Sequence, residues 1–360
     1  MVAKGAAGVL TTLTKPKGDV RDVLVLGFGR SGRAAADLAF AHGLQVTILD
    51  SADNEQLQQW ARAYRKRGAR VELGWTEARW PAGPGIAIMS PGIGPATVLG
   101  QLAAQLACPV ISELEYGYRH CCCPLIAVTG TNGKTTTVEL LVHCLSAVGK
   151  RTMAAGNTAV PISVAALRSS DLDVLVVEAS SFQLERIEHF APFAAAVLNI
   201  SDDHMDRHDN YEAYVKAKAN VFKNISLSNN IVMREDLRHE PILSAALPSR
   251  GTGPVTFSSR PQADTIFFLG NDGALYAPCP GAIQPVIHRE ALALKGVHNI
   301  ENVLAVMALC ELAGVQVATL KQHLPTFSPS SHRLELIAES DNVRYINDSK
   351  STNPDSMQHA

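Results

Sequence analysis

The stretch Val128-Thr129-Gly130-Thr131-Asn132-Gly133-Lys134-Thr135-Thr136 carries the most specific chemistry in this sequence of 360 residues. An apolar run leads into a glycine-containing loop, and a helix is predicted to open on Lys134-Thr135. Backbone N–H groups at such a helix start point at phosphate oxygens. Lys134 can then reach β and γ phosphates, and the Thr135 hydroxyl can ligate Mg²⁺. The loop departs from G-x-x-x-x-G-K-[ST], because Val128 stands where the first glycine would be. It is a shorter variant, and its bland alternative is an ordinary strand–loop–helix turn.

A second glycine-rich loop lies near the N-terminus. Gly27-Phe28-Gly29-Arg30-Ser31-Gly32 matches G-x-G-x-x-G between a predicted strand and helix, and Asp50 ends the next strand. This is the spacing of a dinucleotide cradle, so a hydride-transfer enzyme is one expectation. A different diphosphate nucleotide in the same cradle is another. A tight turn without a ligand is the third.

A nucleoside triphosphate needs Mg²⁺, which prefers hard oxygen ligands. Glu178 ends the apolar run Val174-Leu175-Val176-Val177, at the edge of a parallel strand where ligands bind. A solvated strand-end glutamate is the plainer alternative. The stretch Asn199-Ile200-Ser201-Asp202-Asp203-His204-Met205-Asp206-Arg207-His208 follows another apolar run, and His204 can bind metal or phosphate there. Lys218 falls on a helix, and by residue type it reads as a surface lysine. Cys121, Cys122 and Cys123 are adjacent, a spacing that does not suit a zinc site.

The elements that must position these residues alternate between strand and helix, which predicts parallel α/β sheets. Strands are expected at 20–26, 46–49 and 86–89, and helices at 31–42, 54–67 and 96–106. The alternation restarts with strands at 125–128, 174–177 and 195–199 and helices at 134–148, 211–224, 299–313 and 317–324. Residues 250–290 are rich in Gly, Pro and β-formers, and small antiparallel strands are expected there. Residues 328–331 read as a linker, followed by paired strands at 334–338 and 343–346. Residues 1–20 read as a loose extension.

Composition bounds the class. Length divided by ~150 gives two to three domains. Hydrophobic residues make up 46% and charged residues 18%, which argues against disorder. A net charge of -2 argues against a nucleic-acid partner. The longest apolar run stops at Glu311, too short for a membrane span. Seven cysteines without a secretory signal point to a reducing cytoplasm.

Several stretches together resemble one family. These are Gly130 to Thr136, Glu178-Ala179-Ser180-Ser181-Phe182-Gln183-Leu184-Glu185, Asp203-His204-Met205-Asp206 and Ser90-Pro91-Gly92-Ile93. Two more are Gly296-Val297-His298-Asn299-Ile300-Glu301-Asn302 and Asn347-Asp348-Ser349-Lys350-Ser351-Thr352-Asn353. The sequence resembles the ATP-dependent Mur ligases of peptidoglycan synthesis, relatives of folylpolyglutamate synthase. The last stretch narrows the resemblance to the branch that joins D-glutamate to UDP-N-acetylmuramoyl-L-alanine.

The resemblance implies an N-terminal Rossmann-like domain at 1–120 and a central P-loop mononucleotide-binding α/β domain at 121–328. The latter would have a parallel sheet plus a small antiparallel one. Residues 329–360 would begin a C-terminal Rossmann-like domain for the amino acid, so a truncated chain that does not ligate alone is expected. Gly27, Gly29, Ser31, Gly32 and Asp50 would serve the uridine nucleotide, with Ser90, Gly92 and Asn157 also on that substrate. Gly130, Thr131, Asn132, Gly133, Lys134, Thr135, Thr136 and Thr137 would bind ATP, joined by Asn302, Arg333 and Asp348. Thr135 and Glu178 would hold one Mg²⁺, and His204 with a carbamylated Lys218 the second. Lys134, Glu178, His204 and Lys218 form the expected catalytic set. Lys350 and Thr352 would meet the D-glutamate. A monomer in the bacterial cytoplasm is expected.

Overall fold

A parallel strand covered on both faces needs an unbroken apolar run. Val23 to Leu26, Ile86 to Met89, Leu125 to Val128 and Val174 to Val177 supply such runs, and none of these residues exceeds 4% exposure. The computed structural model describes residues 20–80, 83–203, 205, 207–280, 282–330, 335–340 and 343–351. It divides the chain into two units, one of residues up to 124 with 155–191, the other of 125–154 with residues from 192 onward.

The first unit holds a five-stranded parallel sheet in the spatial order Arg70–Glu72, Gln45–Leu49, Asp22–Leu26, Ile86–Met89, Val110–Ser112. Chain order reverses between Asp22–Leu26 and Ile86–Met89, and in open α/β sheets ligands bind beyond the strand ends at such a point. Helices Arg30–Ala41, Glu55–Lys66 and Val98–Gln105 follow three of the strands. Asn54, Thr97 and Ser112 cap helix starts by accepting the N–H groups of Leu57, Gly100 and Glu115. The helices starting at Glu55 and Val98 are expected within two residues of these positions, whereas Glu113–His120 is not expected from the sequence.

The glycine loop is fixed by backbone crowding. A Cβ on Gly32 would lie 1.8 Å from the Gly27 carbonyl oxygen, whereas one on Gly29 would meet nothing within 4 Å. Gly32→Ala is therefore expected to cost about 3 kcal/mol, a drop of roughly 6–10 °C in Tm, because backbone must move. Gly29→Ala should stay within about 0.5 kcal/mol. Equal melting temperatures for the two variants would contradict the close approach at Gly32.

In the second unit, strands run in the order Ala282–His288, Ala274–Cys279, Phe267–Leu269, Val255–Ser258, Ile231–Arg234, Ala194–Val197, Leu125–Thr129. The small antiparallel strands expected in 250–290 are present as Ala274–Cys279 and Ala282–His288, but the two strands before them differ. Val255–Ser258 pairs parallel with Ile231–Arg234, and Phe267–Leu269 pairs parallel with Val255–Ser258. Only Ala274–Cys279 and Ala282–His288 join antiparallel. The parallel partner, Ile231–Arg234, is four residues long and ends in a charge, so no periodicity announces it. The helix expected at 317–324 is a pair of 3₁₀ segments, Val317–Gln322 and Leu324–Thr326. Glu335–Ser340 and Val343–Asn347 form the expected antiparallel pair. Among the described residues no helix is long and apolar enough to cross a membrane.

Candidate functional site

The phosphate loop in the second unit joins Leu125–Thr129 to helix Lys134–Ala147. No side chain caps that helix, whose N-cap is Gly133 at φ +81. A Cβ on Gly133 would meet Asn302 Oδ1 at 2.4 Å, so the loop and helix Val297–Leu312 come together only because residue 133 is glycine. The N–H groups at its start and the dipole of this 14-residue helix are features that suit an anion.

The loop is clamped from the next strand. Asn199 Oδ1 accepts from Asn132 N at 2.8 Å, and Asn199 Nδ2 donates to Asn132 O at 3.1 Å. Thr131 N donates to Asn199 O at 3.0 Å, and Ser201 N donates to Thr131 Oγ1 at 3.0 Å. The Thr131 hydroxyl also pairs with Tyr214 Oη at 3.0 Å. Sequence reading missed Asn199 and Tyr214. Their one signal was position, Asn199 after an apolar strand and Tyr214 one helical turn before Lys218.

Two lysines meet one carbonyl. Lys134 Nζ donates to Gly130 O at 2.9 Å and to Thr131 O at 2.7 Å. Lys218 Nζ donates to the same Gly130 O at 2.8 Å and sits 4.4 Å from the Tyr214 ring centroid. The surface reading of Lys218 is overturned, since the residue is 2% exposed. Burial, and then the positive charge of Lys134, push its pKa well below the ordinary lysine value. The neutral amine is the form this pocket favours. Thr135 is half-buried at the helix start, Thr136 is 7% exposed, and Thr137 is fully buried.

In the first unit, Gly27 and Ser90 follow the two strands that flank the reversal of chain order, with Ser90 Oγ donating to Gly27 O at 3.4 Å. Gly29 is the N-cap of helix Arg30–Ala41, without a side-chain cap, and is exposed beside Arg30. Ser31 is half-buried and Gly92 exposed. Both Asp50 oxygens are engaged by backbone, Oδ2 by Phe28 N at 2.6 Å and Oδ1 by Ala52 N at 2.9 Å. In a dinucleotide fold the equivalent carboxylate takes a ribose hydroxyl; here each oxygen accepts one backbone N–H and keeps a further acceptor site.

The same unit brings Asn157 to Glu178. Asn157 Nδ2 donates to Glu178 Oε1 at 3.0 Å, and Thr158 Oγ1 donates to Glu178 Oε2 at 2.5 Å. Asn157 N donates to Glu178 O at 2.9 Å. Glu178 is 1% exposed, so the plain solvated strand-end reading does not hold. Arg30 Nη2 donates to Asn157 O at 2.7 Å. Arg30 and Thr158 were not singled out from the sequence; Arg30 occupies a variable position of the glycine motif, and nothing marks Thr158.

Asp348 is half-buried and Lys350 exposed in the turn after the terminal hairpin, where Ser351 N donates to Asp348 O. His204, Arg333 and Thr352 lie outside the described residues. Cys121 and Cys123 are buried and Cys122 exposed, all as free thiols.

Residues 128–310 match the Mur ligase middle domain. The chain is similar to the UDP-N-acetylmuramoylalanine–D-glutamate ligase of Pelotomaculum thermopropionicum, with 35% identity over 335 residues, covering 93% of this chain and 73% of that protein. The ligase of the same name from Frankia casuarinae is 38% identical over 336 residues, covering 92% and 69%. Among solved structures, the MurF ligase of Thermotoga maritima in complex with ADP superposes with a TM-score of 0.56 at 14% identity, covering 88% of this chain and 70% of that one. That likeness is one of fold.

Proposed function

The chain belongs to the Mur ligase family, and we propose that it joins D-glutamate to UDP-N-acetylmuramoyl-L-alanine at the expense of ATP, in peptidoglycan precursor synthesis. The observation that carries the chemistry is the lysine pair on the Gly130 carbonyl, set at an uncapped helix start. The names of the relatives carry the choice of amino acid.

A carboxylate is a poor electrophile, because its charge is delocalised and its leaving group is poor. Transfer of the γ-phosphoryl group of ATP gives an acyl phosphate, which the amine of D-glutamate attacks as phosphate leaves. Such transfer rests on positioning and electrostatics. The helix-start N–H groups bind phosphate oxygens. Lys134 leaves its loop carbonyls to take up negative charge on the β and γ phosphates, with Asn302 alongside and Arg333 and Asp348 assigned to the nucleotide. Gly27, Gly29, Ser31 and Gly32 seat the uridine diphosphate, helped by Ser90 and Gly92. Lys350 and Thr352 are assigned to D-glutamate. The domains we assign are 1–120 for the uridine substrate and 121–328 for ATP, with 155–191 of the latter packing in the first unit.

By donor type, the residues proposed for Mg²⁺ suit that ion. Glu178 and Thr135 offer hard oxygens, and the neutral amine favoured at Lys218 is the form that adds CO₂, releasing a proton and leaving a carbamate oxygen donor. His204 completes the proposed ligands. Bound Mg²⁺ neutralises charge on the transferring phosphoryl group. A monomer in the bacterial cytoplasm fits this role.

The rival is a nicotinamide-dependent oxidoreductase using the glycine loop. Against it stand the second nucleotide-type loop, at 130–136, and the match to the Mur ligase middle domain. The expected result in a thermal-shift assay is a rise in Tm with UDP-N-acetylmuramoyl-L-alanine and none with NAD. The opposite pattern refutes the ligase reading. An amino-acid panel in a phosphate-release assay then separates D-glutamate addition from that of a sister ligase.

A further inference from the structure

The first unit contains a line of contacts that the proposed roles leave unused. It begins inside the glycine loop, at Arg30, the first residue of helix Arg30–Ala41. The guanidinium donates through Nη2 to the carbonyl of Asn157 at 2.7 Å, 127 residues away in sequence. The amide of that same Asn157 holds Glu178 Oε1, and its backbone N–H holds the Glu178 carbonyl. The next residue, Thr158, takes the other carboxylate oxygen. The Glu178 carboxylate is thus aimed by two consecutive residues, and the main chain between them is held by the loop assigned to the uridine nucleotide.

The far end of this segment is anchored separately. Glu113, 1% exposed, accepts the N–H of Ser163 at 2.6 Å, just past the start of helix Ile162–Ala166. Gly156 N donates to Val160 O at 2.8 Å and closes the segment on itself. Asn157 is held on one side by Glu178, through its amide and its backbone N–H, and on the other by Arg30, an exposed side chain of the glycine loop.

We propose that Arg30 is a positioning residue that holds the Asn157–Thr158 segment against Glu178, and so links the uridine-nucleotide loop to the metal-binding carboxylate. This rests on the proposed role of Glu178 as a metal ligand. Groups that orient a ligating carboxylate change metal affinity by 10–100-fold when removed. Arg30 acts one bond further away, so a smaller effect is expected.

The test is Mn²⁺ binding to the full chain in the presence of ADP, followed by electron paramagnetic resonance without any uridine substrate. Arg30→Ala should weaken Mn²⁺ binding roughly three- to tenfold, Arg30→Lys should recover part of the loss, and Tm should hold because the side chain is exposed. Glu178→Gln is the reference and should weaken binding further. If Arg30→Ala binds Mn²⁺ as the parent does while Glu178→Gln is weakened, the positioning role is refuted and the metal role of Glu178 stands. If neither variant is weakened, both fail. A loss in Arg30→Ala that Arg30→Lys does not relieve at all also overturns the proposal, since a cation's hydrogen bond is what it requires.

Discussion

In the full-length enzyme, Lys134→Ala is expected to lose ATP-dependent phosphate release by about 10³-fold or more, with little change in Tm. Groups aimed at a transferring phosphoryl are worth this much, because they act on charge that develops in the transition state. The fold should survive, because the loop does not depend on the lysine for its shape. Asn199 clamps Asn132 in both directions, and Ser201 and Tyr214 hold the Thr131 hydroxyl. What the variant loses is the cation that bridges the Gly130 and Thr131 carbonyls. ADP affinity by calorimetry and phosphate release, measured beside a melting curve, separate the cases. Retained activity would remove the loop from phosphate chemistry, and a collapsed melting curve would make Lys134 a structural clamp.

The second large effect is expected at Lys218. In the full-length enzyme Lys218→Ala should lose activity by about 10²-fold, and short carboxylates such as acetate should restore part of it by placing an anionic oxygen in the vacated space. The direction of the pKa shift gives an independent check. The amine titrates well below the ordinary lysine value in the fold, through burial and the charge of Lys134. The unfolded chain therefore binds the extra proton. The resulting penalty on stability is full below the folded pKa and fades as pH rises toward the unfolded value near ~10.4. Carbamylation replaces that amine by an anion beside Lys134, so bicarbonate at neutral pH should raise the Tm of the parent chain and leave Lys218→Met unmoved. A carbon-13 carbamate signal from labelled bicarbonate should be present in the parent and missing in the variant. No bicarbonate effect together with no acetate rescue would refute carbamylation at this residue.

Much of this architecture is visible in the sequence where local and tertiary signals agree. Ile86–Met89 falls at its expected limits because an apolar run ends just before Pro91, and Lys134–Ala147 begins where glycine gives way to Lys-Thr. The glycine loops are legible because backbone crowding at Gly32, and a positive φ with the Asn302 side chain close by at Gly133, favour glycine there. Pairing direction in 250–290 is not legible, because it depends on Ile231–Arg234, a partner too short and too mixed to be seen. The burial of Lys218 is hidden for a different reason. Residue type argues for solvent, and only tertiary contacts with Gly130 and Tyr214 reveal otherwise. Arg30 and Asn199 are illegible in the same way, since their partners lie 127 and 67 residues distant.

The reciprocal Asn132–Asn199 clamp also dates the site within the life of the molecule. A nucleotide loop built only from local contacts would be competent as soon as its own helix formed. Here the loop is held through a residue that follows strand Ala194–Val197, across a separation of 67 residues. Closing so long a segment costs entropy before any contact repays it. During synthesis, residues 130–134 leave the ribosome long before Asn199 does, and until that later strand docks they are a glycine-rich turn rather than a phosphate cradle. On the proposed reading, nucleotide affinity is expected only once the strand Ala194–Val197 has taken its place beside Leu125–Thr129.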